Sequence, residues 1–406
     1  MNILIVFILF FLPYLMLLHG FKKSFLYPAC LFCFVFMLTL TLAYGAIFLF
    51  GFYPISYETM AVYGAGNISF IIGALLTSKV FPEKRNNSVV NNYKYLKVIF
   101  MIVLVFLIFY SPVLYKEFIQ ATPPMSFSLR ILRIRERGLT EQVYSTLSNN
   151  LIILSTFLIM LGAYLYSKSK LNIVFLILAY ITFASYNFIT GTRAAIILIS
   201  LACVFVYVIN TQKISKLFIF SGLIVTFLLG AFVAIFMGKD GMDRNQGIDK
   251  NLGKVVENYF SYTVQGVILF DNYLIQEKSG VAPNWDILSG TKEVVNKVSA
   301  TQVFDVNTKF SDFSYFSKDK TGNVYTIYFS VYPLYGFTGV LIFFLFYGAF
   351  CAFIYERNKG VWTVFLCYLN ATLCLNIFNE QIFTNMIFTL KLMAFIFCLR
   401  WVERIK

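Results

Sequence analysis

The sequence predicts an all-α polytopic membrane protein with about eleven transmembrane helices and one long loop on the outer side. Three observations carry that expectation. The 406 residues are 59% hydrophobic and only 13% charged, and the apolar residues come in blocks of about 17–25, the length that crosses about 30 Å of hydrocarbon. In lipid a backbone must pair its own N–H and C=O groups, so a run such as 96–110 is expected to be helical rather than part of an alternating-strand barrel. The formal charge of +14 falls mostly on Lys and Arg in short loops between blocks, a mark of topology rather than of nucleic-acid binding.

In chain order the spans read 2–18, 25–50, 60–79, 96–116, 150–167, 171–189, 194–209, 217–237, 337–355, 361–378 and 384–399. The first has no basic residue before it and Lys22 and Lys23 after it, so it reads as a retained span with Met1 outside, not as a signal peptide. Further basic flanks follow at Lys84, Arg85 and Lys94, at Lys168 and Lys170, at Lys213 and Lys216, at Arg357 and Lys359, and at Arg404 and Lys406. An odd span count puts all six on the cytoplasmic side of a bacterial inner membrane, with a periplasmic N-terminus and a cytoplasmic C-terminus.

Two outward loops depart from the pattern. One, 117–149, carries Arg130, Arg133, Arg135 and Arg137 on the face where positive charge is disfavoured. The other, 238–323, is far longer than a connector. Within it, 251–276 reads as an amphipathic helix with Val255, Val256, Tyr259 and Phe260 among its apolar residues, lying on the membrane or capping a cavity. Pro283, Asn284 and Trp285 mark a turn at the interface. With no repeat, tail or linker, 1–406 reads as a single transmembrane domain.

The seven cysteines (Cys30, Cys33, Cys203, Cys351, Cys367, Cys374 and Cys398) all lie in apolar blocks, where a thiol packs as a small hydrophobe. Neither a disulfide framework nor a zinc site is expected, and the C-x-x-C at Cys30 and Cys33 reads as packing. The one histidine, His19, falls on the cytoplasmic side. That excludes an outer serine-histidine hydrolase or histidine metal cluster, and leaves a carboxylate, a tyrosine or the substrate as base.

Arginine suits phosphate because its planar fork donates paired hydrogen bonds and stays charged. The spacing of Arg130, Arg133 and Arg137 puts them on one helix face, with Arg135 elsewhere. They read as an anion site or as a basic segment on anionic lipid. Arg193, after Gly191 and Thr192, sits at an outer helix start at the edge of hydrocarbon, where a guanidinium needs a partner, a watery cavity or a snorkelling path. It is the residue best placed for function. Arg244 opens the large loop beside Asp240 and Asp243, either to meet substrate or to pair locally with Asp243, a weak candidate for a catalytic carboxylate. Lys391, placed near the middle of the last span, is expected to have an interior role. Asn67, Asn370 and Asn376 read as interhelical hydrogen-bonding residues.

The outer basic loop, Gly191-Thr192-Arg193 at a span start, the long second loop, and Asn323-Val324-Tyr325-Thr326 running into Tyr332-Pro333-Leu334-Tyr335-Gly336 with Gly339 together resemble the O-antigen polymerases (Wzy), the oligosaccharide repeat-unit polymerases. The layout matches along the whole chain and the motifs over about a tenth of it. The family's acidic residue and aromatic before the first late glycine are Leu334 and Tyr335 here, and the arginine–glycine spacing of some members is missing after Arg130, Arg193 and Arg244. The resemblance implies a glycosyltransferase of the GT-C-like polymerase and ligase type, with undecaprenyl-pyrophosphate-linked glycans as donor and acceptor and a chain-length regulator as a further partner. It implies no cofactor and no metal, with arginines holding the leaving pyrophosphate. Pro333, Gly336 and Gly339 read as a broken helix bordering a cavity. A flippase or other carrier is the alternative; the related ligase is expected to need a histidine in its large outer loop, which this chain lacks.

Overall fold

The computed structural model describes all residues except 1, 83–92, 126–128, 132, 135–142, 191–192, 213–247, 276–285, 307–313, 323, 379 and 405–406; the side chains of 2–3, 193–194 and 248–260 are likewise not described. The fold is mostly helical with very little sheet. In order it runs α1 (2–20), α2 (Pro28–Phe50), α3 (Tyr57–Val80), α4 (Tyr93–Gln120), α5 (Thr146–Ser167), α6 (Ile173–Ile189), α7 (Arg193–Thr211), α8 (Ile248–Ile275) and α9 (Ser289–Ser299). A two-residue ladder, β1 (Ser314–Tyr315) with β2 (Thr321–Gly322), precedes α10 (Ile327–Glu356), α11 (Trp362–Leu375) and α12 (Met386–Glu403).

Five of these, α2, α3, α4, α5 and α10, are long and apolar enough to cross a membrane. Each expected span that falls on described residues coincides with a helix; the span at 217–237 lies outside them. The expected amphipathic helix at 251–276 is α8, while α9 and the ladder were not foreseen.

The chain sorts into two compact units, each assembled from three stretches: residues 1–85, 256–357 and 372–389 form the first, and 86–255, 358–371 and 390–406 the second. α8, α11 and α12 each pass from one unit to the other without a break, so no linker marks those three boundaries.

In the first unit α3 lies hard against α10. A Cβ on Gly73 would collide with the Leu345 carbonyl, and one on Gly348 with the Phe70 carbonyl, the close approach that small residues give membrane helices in place of a hydrophobic driving force. Aromatic rings fill the remaining space: Phe32 stacks on Phe70, and Tyr63 on Tyr328 with centroids 4.1 Å apart. Pro13 inside α1 has no N–H for the Leu9 carbonyl four residues back. Asn67, fully buried on α3, donates to that carbonyl at 2.8 Å and accepts from the Cys33 thiol at 3.1 Å. Asn67 is thus the interhelical hydrogen-bonding residue expected, and Cys33 is packed. Asn376 also bonds across elements, its side-chain Nδ2 donating to the Tyr347 hydroxyl at 3.4 Å and its backbone carbonyl accepting from the Ile327 N–H at 2.9 Å.

α10 is broken as the sequence reading expects. Pro333 removes a backbone donor, and Gly336 adopts φ 62° and ψ −163°, a conformation closed to side chains with a Cβ.

In the second unit α5 is the central element, packed on α4, α6 and α7. One end of this unit is closed by Glu403, whose carboxylate accepts from the Tyr164 hydroxyl at 2.8 Å, from the Val361 N–H at 3.2 Å and from Arg400.

Candidate anion-binding site

The opposite end of the second unit gathers the end of α4, the start of α5, the end of α6 and α12 at Lys391. Arg130 and Arg133 lie on a short helical turn whose Ile131 and Ile134 are buried, leaving Arg130 half-buried and Arg133 exposed, the shared face their spacing predicts. Arg130 folds back on the end of α4. Its Nη1 donates to the Ile119 carbonyl at 2.7 Å and to the Thr122 carbonyl and Oγ1 at 3.3 and 2.9 Å, and its Nε to the Met125 carbonyl at 3.2 Å. A guanidinium there satisfies helix-end carbonyls and meets the negative end of the dipole. Part of Arg130's hydrogen-bonding capacity is therefore committed to the fold.

Glu117 is committed as well. It accepts from the Ser145 N–H at 3.2 Å and hydroxyl at 2.9 Å, while the Ser145 oxygen caps α5 by accepting from the Ser148 N–H at 3.2 Å. The Glu117 carboxylate is thus engaged at the N-cap of α5. Buried Tyr144 donates its hydroxyl to the Ile189 carbonyl at 3.0 Å, the last residue of α6. That bond ties the basic loop to the turn leading into Arg193. Burial, and secondarily the charge of Glu117, raise the Tyr144 hydroxyl above the usual tyrosine range, so it stays a donor.

Arg193 is the first residue of α7, as expected; its side chain is not described. Lys391 lies in the second turn of α12, and its ammonium donates to Asn150 Oδ1 at 2.8 Å. Asn150 is the fifth residue of α5, so Lys391 is at the same end as Arg130. Its partner could not be named from sequence. Arg135, Arg137, Asp243 and Arg244 lie outside the described residues.

The first unit holds two carboxylates that sequence reasoning did not single out. Asp271 on α8 is fully buried. Its Oδ1 accepts from the Ser56 N–H at 2.7 Å and hydroxyl at 2.5 Å, and Oδ2 has no partner among the described residues. Asp286 precedes α9 and accepts from Lys292 Nζ at 2.5 Å, the Leu288 N–H at 2.9 Å and the Tyr335 hydroxyl at 2.8 Å. Burial pushes the Asp286 carboxyl up, but those donors together outweigh it and hold it below the usual range. The Tyr335 hydroxyl reaches Asp286 across 49 residues, a pairing that nothing short-range signals. Among the described residues no three His, Cys, Asp or Glu side chains come together as a cation site.

The fold is that of a mostly helical membrane protein in which one end of a helical unit carries Arg130 and Lys391. Comparison with family models, with curated proteins and with solved structures finds no match.

Proposed function

We propose that this chain is a glycosyltransferase that polymerises undecaprenyl-pyrophosphate-linked oligosaccharide repeat units into O-antigen or capsular polysaccharide. In this reading it crosses a bacterial inner membrane eleven times in a GT-C-like arrangement, with Met1 periplasmic and Lys406 cytoplasmic, and works on the periplasmic face beside a chain-length regulator. The observation that supports the reading is the basic end of the second unit, which carries Arg130 on the end of α4 and Lys391 against the first turns of α5, with α7 starting at Arg193.

In the reaction an acceptor hydroxyl attacks the anomeric carbon of the donor glycan, a new glycosidic C–O bond forms, and the bond to the lipid pyrophosphate breaks. The pyrophosphate leaves with the electron pair and the hydroxyl proton goes to a base or to solvent. Cations fixed at the membrane boundary stabilise the charge that develops on the leaving group. Deleting the gene and separating the lipopolysaccharide or capsule by electrophoresis tests the reading. A ladder collapsing to a single repeat unit, restored by the intact gene, supports a polymerase; loss of even that one unit points to a flippase or ligase.

A further inference from the structure

We propose that α9 and the segment after it form an interfacial membrane anchor, an apolar patch that docks into the headgroup and acyl boundary of the bilayer beside the break in α10. The patch consists of Leu288, Val295, Val298, Val303 and Phe304, all exposed, with Val298 82% and Val303 55% accessible. It is not a ragged loop. Asn296 Nδ2 donates to the Phe304 carbonyl at 2.7 Å, and its Oδ1 accepts from the Val303 and Phe304 N–H groups at 2.9 Å each. One side chain thus folds residues 303–304 back along α9 and holds their apolar side chains next to Val295 and Val298. Branched and aromatic side chains fixed outward in this way would cost solvation free energy in water, so the patch calls for a cover.

What covers it follows from where α9 is tethered. The Ile287 N–H donates to the Ser330 carbonyl in the first turn of α10 at 3.1 Å, and the Tyr335 hydroxyl donates to Asp286. Gly290 lies against the Phe383 and Thr384 carbonyls, just before α12 begins. The part of α10 after Gly336, 337–356, is about 20 residues and so about 30 Å long, one hydrocarbon thickness. The hydrocarbon boundary therefore falls at Gly336, beside the residue that holds Asp286, and α9 starts at that level. Leu334, Tyr335 and Phe337 are exposed on α10 at the same level, which continues the apolar surface. The described cations near the patch are paired, Lys292 with Asp286 and Lys297 with Glu293 at 2.8 Å, and Asp305 beside Phe304 adds a negative charge that accepts from Gln302. Insertion is thus driven by apolar area rather than by anionic lipid.

The full-length chain, with Trp285, Trp362 and Trp401 replaced by Phe, is reconstituted in nanodiscs of phosphatidylcholine, plain or brominated near the headgroup end of the acyl chains. Tryptophan is placed at the patch as Val298→Trp or on the other side of α9 as Glu293→Trp. The expected result is blue-shifted emission for Val298→Trp, at least twofold quenching by the brominated lipid and little by aqueous iodide, with Glu293→Trp showing the reverse. Iodide quenching of Val298→Trp equal to that of Glu293→Trp overturns the proposal, since the patch then faces water. Blue-shifted emission untouched by bromine also overturns it, since protein then covers the patch.

Discussion

Replacing Asn67 tests whether its role is to serve the carbonyl that Pro13 leaves without a donor. In Asn67→Ala the Leu9 carbonyl loses its 2.8 Å partner, and the Cys33 thiol loses an acceptor. Position 13 has no N–H, so an ordinary α-helical bond from four residues on cannot replace it. A buried acceptor left unmatched costs about 1–3 kcal/mol, and measured membrane pairs average about 0.6 and reach about 1.7 kcal/mol, so about 1.5 kcal/mol is expected. In a Pro13→Ala background the new N–H can bond the Leu9 carbonyl within the helix. The same Asn67→Ala change should then cost only its cavity and the thiol contact, about 0.5 kcal/mol. The coupling of about 1 kcal/mol exceeds the scatter of about 0.3–0.5 kcal/mol seen for independent sites. Steric trapping or reversible unfolding in mixed micelles of all four variants measures the cycle. An equal cost for Asn67→Ala with and without Pro13 refutes the reasoning.

Four further outcomes are expected. Arg193→Ala should slow polymer formation by roughly a hundredfold, about 3 kcal/mol of lost leaving-group stabilisation, with Arg193→Lys intermediate because charge without a planar fork is retained; an Arg193→Ala variant that accumulates normally and polymerises at the native rate makes Arg193 an interfacial anchor only. Arg130→Ala should lower stability by about 1–2 kcal/mol, since it uncaps the end of α4, and a thermal unfolding midpoint matching the parent's removes that structural role. Glu380 lies in the loop before α12, where burial, opposed by N–H donors from residues 382–384, pushes its carboxyl up to about 7 from 4.5. The folded chain then keeps a proton that the unfolded chain releases, so this group's contribution is fully present below about pH 4.5 and is lost as pH rises through 7; Glu380→Gln should flatten the stability profile over that window, and an unchanged slope counts against it. Purified enzyme should keep its activity in excess chelator; full loss restored by magnesium or manganese shows that the arginines are not sufficient.

The helices were legible because blocks of apolar residues and their basic flanks are local signals, and α2, α3 and α10 fall where those blocks lie. The break in α10 was legible for the same reason, since Pro333 and Gly336 each impose a backbone constraint on their own account. α9 was not, because its apolar positions are few and spaced among Lys292, Glu293 and Lys297, leaving little contrast with a solvated loop. At the basic end the residues were legible but their engagements were not. Lys391 meets Asn150 across 241 residues, and Arg130 turns back on a helix end that sequence places only to within a few residues. Asp271 and Asp286 gave no signal because a single aspartate, on an amphipathic helix or in a loop, looks the same in sequence whether or not the fold buries it.

The interleaving of the two units has a consequence for how the chain is made. The first unit begins at residue 1 but is completed only by residues 372–389, and the second needs residues 390–406. At about 5–20 residues per second, synthesis of the chain lasts about 20–80 s, and through nearly all of that time neither unit has its full complement of packing partners. Early helices such as α3, whose close-fitting face awaits α10, must persist in the bilayer with glycine notches unfilled. Biogenesis then depends on something that shelters half-built helices until the ribosome has finished, and truncations that stop before residue 372 should leave two incomplete bodies rather than one intact half.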